Sequence, residues 1–324
     1  EPQPQPQAQN QPQTKPQPRP EPSAVLSPRL SLSFPAVEPA ARSTPQHSTP
    51  QRPLPVVEVG LRQEQGPRPY MEDECSVLSV DGYLLFGVFD GHDGRRAATF
   101  CRMHLLPNLA NQLAAMQGSN VPLALQRAYL ATETQFMELA HRNAWDDGTT
   151  AVVLCLGPDQ LHVAHCGDSR AVLVAPAQSQ ALTQDHKPDL PREQHLIERR
   201  GGKVIRRPGD VARVIPGMIA MTRSLGDRPA KPVVCPVPEI CSVPLHPSMH
   251  SLVLATDGLW DVVDNLLCAK ICLRSASGQQ AADQLVMTAL ARGSQDNVSA
   301  LVVRFCKVQT DLTDCSGPGT PRQP

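Results

Sequence analysis

A sizeable net charge, CxxC cysteine pairs and long apolar runs are all missing from this chain, and each gap removes a class of function. It carries 30 Lys and Arg against 31 Asp and Glu, a formal net charge of -1. No global field therefore steers it to nucleic acid or to a membrane surface, and neither is expected as a partner. Its 10 Cys include no CxxC pair and no Cys/His zinc spacing. Cys155, Cys166, Cys235 and Cys241 lie in apolar or strand-like runs, the setting of reduced core thiols, so an intracellular protein of the cytoplasm or nucleus is expected. No run of about 18 apolar residues and no apolar leader occurs, so neither a spanning helix nor a signal peptide is expected. Aromatic residues are nearly absent from positions 1–55, a Pro/Gln/Ser mixture holding much of the chain's 34 Pro. That composition cannot bury enough apolar surface to order itself, so a disordered arm is expected there, able to dock SH3 or WW modules. What remains, 56–307, is long enough for one large domain, expected as a monomer, with a disordered tail at 308–324.

Short Val- and Leu-rich runs bounded by Gly, Asp or Pro predict strands at 84–89, 151–156, 161–165, 171–175, 252–255 and 298–304. The three runs between 151 and 175 are separated by Gly157-Pro158-Asp159 and by Cys166-Gly167-Asp168-Ser169, which reads as an antiparallel meander. This argues against a doubly wound nucleotide fold. Helical period appears at Val121, Leu125, Ala128, Thr132, Phe136 and Leu139, and again over 95–116 and 279–292. Helices and strands come in blocks, so an α+β layering with helices covering sheets is expected. Between 185 and 229 the periodicity dissolves into Pro, Gly and Arg, the mark of a surface subdomain.

Four acidic clusters, Met71-Glu72-Asp73, Asp90-Gly91-His92-Asp93-Gly94, Asp257-Gly258-Leu259-Trp260-Asp261 and Asp296-Asn297, each abut a strand-like run. Carboxylates converging on one cleft cost roughly several kcal/mol each to desolvate unless cations neutralise them, so the pattern calls for hard divalent metal. The glycines around Asp90 permit a sharp turn presenting Asp90, the Gly91 carbonyl and His92 together. An EF-hand loop is excluded, because His92 and Gly94 occupy its acidic third and fifth positions. Arg68 stands four residues before Glu72, and its fork suits phosphate oxygens as well as a surface ion pair to Glu72. Taken singly, each motif also fits ordinary turn or cap chemistry. His165-Cys166-Gly167-Asp168-Ser169-Arg170 superficially resembles a cysteine-phosphatase loop. Only three residues separate Cys and Arg, however, and a strand-like run follows where a helix N-terminus is needed, so Cys166 reads as a buried thiol.

In order along the chain stand Arg68, Met71-Glu72-Asp73, Phe89-Asp90-Gly91-His92, Gly148-Thr149-Thr150-Ala151 and Gly167-Asp168-Ser169-Arg170. Thr183-Gln184-Asp185-His186-Lys187-Pro188, Arg223-Ser224-Leu225-Gly226-Asp227, Asp257-Gly258-Leu259-Trp260-Asp261 and Asp296-Asn297 complete the set. Over about 58–305 this set resembles the metal-dependent PP2C-type (PPM) Ser/Thr protein phosphatases. Within that family the stretches 161–170, 183–202 and 233–260 look most similar to the p53-induced, Wip1-like branch. The long basic insertion of that branch is absent between Val211 and Thr222, and Asp93 stands where the family usually has glycine. The resemblance implies a four-layer α-β-β-α sandwich of two central antiparallel sheets flanked by helices, with a variable flap at 189–229.

The same resemblance implies a metal-dependent phosphatase of phosphoproteins that uses two Mg²⁺ or Mn²⁺ ions. Asp90 would bridge them, with the Gly91 carbonyl and Glu72 on one ion and Asp257 and Asp296 on the other. Asp73 would orient bound water, and Asp168 and Asp261 match positions that hold a third ion. Two cations lower the pKa of a shared water from about 15.7 towards neutrality, Arg68 holds the phosphoryl oxygens, and no covalent intermediate is needed. His92 would protonate the departing alkoxide. The rival from another class is a pseudophosphatase scaffold that only binds partners, against which the intact Asp90, Asp257 and Asp296 argue. The stretch 192–213 holds seven Lys or Arg against three Asp or Glu. It reads as a solvated face or as a surface selecting acidic phosphopeptides.

Overall fold

The computed structural model describes residues 53–80 and 82–306. The expected arm at 1–55, apart from residues 53–55, and the expected tail at 308–324 lie outside the described residues. The described residues begin with β1 (Val57–Glu64), β2 (Glu74–Val80), β3 (Tyr83–Phe89) and the two-residue β4 (Gly91–His92), then α1 (Arg96–Ala115) and α2 (Val121–Asn143). β5 (Gly148–Thr149), β6 (Ala151–Leu156), β7 (Gln160–Cys166), β8 (Arg170–Ala175) and β9 (Gln178–Ala181) follow. Then come α3 (Pro191–Arg199), β10 (Lys203–Arg206), β11 (Ala212–Ile215) and β12 (Leu225–Gly226). The last elements are β13 (Glu239–Pro244), β14 (Ser251–Ala255), α4 (Asp257–Trp260), α5 (Asn265–Arg274), α6 (Gly278–Ala291) and β15 (Val298–Phe305).

Period-two alternation along the strands builds the layers. In β6, Val152, Leu154 and Leu156 face one side while Ala151, Val153 and Cys155 face the other; β3 splits likewise, with Phe86 and Val88 opposite Leu85 and Phe89. The first set meets Ala171 and Leu173 of β8, Leu252 and Leu254 of β14, and Leu301 and Val303 of β15, forming a core between two sheets. The second set packs under α1 and α2. On the far side Val172, Val253, Ala300 and Val302 pack under α5 and α6. Four layers result, helices–sheet–sheet–helices, as expected. Each buried Leu, Val or Phe contributes about 1.5–3 kcal/mol relative to exposure. The sheet orders are β1-β15-β14-β8-β9 and β13-β7-β6-β3-β2, with neighbouring strands antiparallel.

The expected meander over 151–175 needs correction. β6 and β7 pair, but β8 pairs with β14 and β9 in the other sheet. Gly167 at φ 108 and the buried Asp168 break the hairpin, so the chain passes from one layer to the other instead of turning back. That crossing carries Asp168 to the edge where both sheets end. The stretch at 185–229 holds α3 and the hairpin β10–β11 around a small core of Ile197, Val214 and Ile219 that Val233 and Val234, just beyond it, complete.

Candidate active site

Asp90 sits between β3 and β4, its backbone locked on both sides. Its N–H donates to Thr150 Oγ1 (3.2 Å), and its carbonyl accepts from the Thr150 N–H (2.9 Å) and from Thr149 Oγ1 (3.0 Å). The Gly148-Thr149-Thr150 motif is thus a clamp on Asp90, a role that the sequence did not assign. Asp257 opens α4 directly after β14, and Asp168 lies in the crossing from β7 to β8. Ligand oxygens of Asp90, Asp168 and Asp257 all lie within 4.8 Å of one another. Burial, then the charges of Asp257, Asp73, Asp168 and Asp296, push the Asp90 carboxyl well above the usual carboxylate range. Burial and Asp168 do the same to Asp257.

Asp73, just before β2, is 4% exposed. Thr256 Oγ1 (3.0 Å) and Ser299 Oγ (2.7 Å) both donate to its Oδ2. Burial still outweighs those donors, and Asp296 adds repulsion, so its pKa is raised to about 7. Glu72 is placed by its backbone, its N–H donating to Asn297 Oδ1 at 2.8 Å. Asn297 Nδ2 in turn donates to the carbonyls of Gln65 (2.7 Å) and Tyr70 (2.9 Å), stapling the whole 65–72 segment. Gly91 must be glycine, because a Cβ there would stand 2.6 Å from the Glu72 carbonyl oxygen. Arg68 bonds Asp296 Oδ2 (2.7 Å) and the Gln295 carbonyl (3.2 Å), so its ion pair is with Asp296, not Glu72. One turn of α4 brings Asp261 to the Asp257 side, where burial and the Asp168 charge raise its pKa despite Lys187.

Lys187 pairs with Asp168 Oδ2 and stands 3.9 Å from Asp257 Oδ2. It belongs to a motif noted in the sequence, but its place among the carboxylates was not read there. Asp168 Oδ1 is buried with no hydrogen-bond partner. An orphaned carboxylate oxygen, an all-oxygen donor set and mutual repulsion among the carboxylates fit hard divalent cations.

His92 ends β4, and its Nε2 lies 2.8 and 3.0 Å from the two carboxylate oxygens of Asp227. Burial disfavours the imidazolium, but the Asp227 charge and hydrogen bond more than offset it, and the His92 pKa rises above its usual value. His92 Nδ1 is buried without a partner. The sequence does not single out Asp227 as the partner of His92. Its motif was visible, but nothing in the spacing pointed to His92.

A second group, His165, His186 and Glu239, also draws together. His186 Nδ1 accepts from the Gly167 N–H (3.1 Å), so its Nε2 carries the proton towards Glu239 and has no lone pair for a cation. Arg192 and Arg223 already compensate Glu239. Cys166 is buried, donates to the Cys235 carbonyl at 3.3 Å, and has its thiol pKa pushed far up by burial, so it offers no nucleophile.

Residues 62–298 match the protein phosphatase 2C family. The chain is 38% identical over 256 residues to a probable protein phosphatase 2C of Oryza sativa subsp. japonica named as mitochondrial, covering 78% of this chain and 69% of that one. An Arabidopsis thaliana probable protein phosphatase 2C is 37% identical over 266 residues, covering 81% and 84%. Two others, from rice and Arabidopsis, are spanned over only 50% and 55% of their length. Among solved structures, a serine-threonine phosphatase 2C from Toxoplasma gondii superposes with a TM-score of 0.71 at 24% identity, covering 79% of this chain and 97% of that one. The chain belongs to the protein phosphatase 2C family. Its matched region is a serine/threonine protein phosphatase domain of that family.

Proposed function

We propose that this cleft hydrolyses phosphoserine and phosphothreonine in proteins by direct attack of water, without a covalent enzyme intermediate. Asp90, the Gly91 carbonyl, Glu72, Asp257 and Asp296 would hold two Mg²⁺ or Mn²⁺ ions. Asp73 would support them from behind, and Asp168 and Asp261 would hold a third. Such ions, when bound, supply an acidified water and offset the repulsion among the carboxylates. The remaining tasks fall to the chain itself. Arg68, anchored through Nε and Nη2, keeps an Nη1 that makes no hydrogen bond among the described residues, a donor left for a phosphoryl oxygen. Asp227 holds the His92 ring by Nε2 and favours its protonated form, leaving Nδ1 to hand a proton to the departing serine or threonine oxygen.

The observation that carries this reading is the gathering of Asp90, Asp168 and Asp257 within 4.8 Å, at the edge shared by both sheets. Turnover of a phosphopeptide should require added Mg²⁺ or Mn²⁺, stop in EDTA, resist thiol alkylation, and vanish in Asp257→Ala together with bound metal. Turnover that survives EDTA and fails on alkylation would sink the reading. Every described cysteine is free, which supports a reducing compartment, cytoplasm or nucleus. No helix among the described residues is long and apolar enough to cross a membrane.

A further inference from the structure

We propose that Glu133, in the interior of α2, is a positioning residue that fixes the 224–231 segment so that Asp227 meets His92. This rests on the proton-donor role given to His92 above and extends it one layer outward. Asp227 is a non-glycine residue at φ 53, a left-handed conformation disfavoured by about 1–2 kcal/mol, so its neighbours must hold it there. Ser224 Oγ donates to Asp227 Oδ2, and the Asp227 N–H donates to the Asp147 carbonyl at 3.1 Å. Glu133 secures the segment at two further points. Its Oε2 accepts the N–H of Gly226, the residue before Asp227, at 2.8 Å. Its Oε1 lies 3.0 Å from Lys231 Nζ, and that ammonium donates to the Ser224 carbonyl at 2.8 Å. The Ser224–Asp227 turn is therefore gripped at Gly226 directly and at Ser224 through Lys231.

The placement of Glu133 is otherwise hard to account for. It is 7% exposed on a helix face whose other buried members include Ala124, Leu125, Ala128, Tyr129 and Phe136. Burial works against its charge, and Lys231 and the Gly226 N–H recover only part of that penalty, leaving its pKa raised. An apolar side chain would fill the same space without that penalty. What the carboxylate adds is a hold on the loop that carries Asp227.

A purely structural residue would affect all substrates alike, whereas one acting through His92 must discriminate by leaving group. p-Nitrophenolate departs without needing a proton, but a serine alkoxide does not. The test compares Glu133→Gln with wild type on p-nitrophenyl phosphate and on a phosphoserine peptide, at saturating Mn²⁺, with His92→Gln setting the reference ratio. Glu133→Gln should lose on the order of tenfold in kcat on the peptide and less than about twofold on the aryl ester, a fraction of a full acid contribution. Its KM values and far-UV circular dichroism should be unchanged. Lys231→Met should reproduce the direction of the ratio, and the double variant should fall little further than Glu133→Gln, because Lys231 acts on the turn together with Glu133. If Glu133→Gln fails to fold, Lys231→Met is read in the same way. Equal loss on both substrates, or no loss on the peptide, overturns the positioning role while leaving the phosphatase reading intact. If His92→Gln itself shows no discrimination, the proton-donor assignment falls and the proposal with it.

Discussion

Replacing Asp73 by Asn separates what the carboxylate cluster costs the fold from what it does for the site. Both hydroxyl donors, Thr256 and Ser299, point at one oxygen, Asp73 Oδ2. An Asn whose carbonyl oxygen takes that position keeps both hydroxyl bonds, turns its amide to Asp90 where the carboxyl had bonded it, and removes the charge. Burial, with the Asp296 charge behind it, raises the Asp73 pKa from 3.8 to about 7 despite those donors. A carboxyl with a raised folded pKa binds its proton more tightly when folded. Its stabilising contribution is complete below the unfolded value, about 3.9, and is lost as pH rises through about 7. About three pH units at about 1.4 kcal/mol each give a ceiling on the order of 4 kcal/mol. The realised figure is smaller, because Asp73 does not titrate alone: its charge raises the Asp90 pKa, while a hydrogen bond from Asp90 lowers that of Asp73. In EDTA the Asn variant should melt with wild type towards pH 4, gain steadily to about pH 7, and hold its lead above that. At about 2–4 °C per kcal/mol for a domain of this size, the lead is on the order of 5–10 °C. Excess Mn²⁺ should reverse the sign, because ions stabilise the form that binds them better. Calorimetry across pH 4–8, with EDTA and with Mn²⁺, reads both arms. An Asn variant melting below wild type in EDTA at pH 8 would refute the claim that these carboxylates are held together against their repulsion.

Three further substitutions probe the frame around the site. Gly91→Ala puts a Cβ 2.6 Å from the Glu72 carbonyl, so metal affinity measured by calorimetric titration should fall at least about tenfold. Asn297→Ala removes its hydrogen bonds to Glu72, Gln65 and Tyr70, and at about 0.5–1.5 kcal/mol each a loss of about 2–3 kcal/mol is expected in urea unfolding. Arg223→Ala removes the guanidinium that bonds the fully buried Glu193 at 2.6 and 3.1 Å, leaving it the Thr222 hydroxyl and the longer pair with Arg192 at 3.4 Å. Loss of one partner of a buried pair costs about 3–5 kcal/mol, and hydrogen exchange should show α3 opening faster than the sandwich.

The strands read from sequence, β3, β6, β7, β8, β14 and β15, are all interior to their sheets. In the two five-stranded sheets those not read, β1, β2, β9 and β13, are the four edges, and the short strands β4, β5, β10, β11 and β12 of the smaller sheets were not read either. Interior strands are buried on both faces and so appear as unbroken Val/Leu runs, as in Ala151–Leu156. An edge strand such as Val57–Glu64 carries Glu58, Arg62 and Glu64 among its apolar residues, which masks its period. The misread crossing at 167–169 has a similar origin: a Gly-Asp-Ser turn between two apolar runs looks the same whether the strands pair or part. The acidic residues of the site were legible because each stands beside a strand end, where topology gathers them. Asp227 and Glu133 were not, because the role of Asp227 exists only relative to His92, 135 positions away, and that of Glu133 only relative to the segment holding Gly226, 93 positions away.

The two sheets meet at this edge with opposing demands. The Leu and Val side chains of the inner layer, Leu154 and Val163 against Leu252 and Leu301, draw the sheets together. At the rim, Asp73 and Asp90 from one sheet face Asp257 and Asp296 from the other, and their like charges push it open. Lys187 partly counters this, since its ammonium pairs with Asp168, at the end of β7, and stands 3.9 Å from Asp257, at the end of β14. Lys187 and, at Asp296, Arg68 stand against the five carboxylates of Asp73, Asp90, Asp168, Asp257 and Asp296, which leaves a negative excess, and that is what a site for divalent ions requires. The inner core therefore holds the carboxylates close enough to bind cations, and cations bound there would close the same edge that the charges open. Catalysis and the integrity of the sandwich rim are in this sense one arrangement, so substitutions that loosen the rim should weaken metal binding before they unfold the domain.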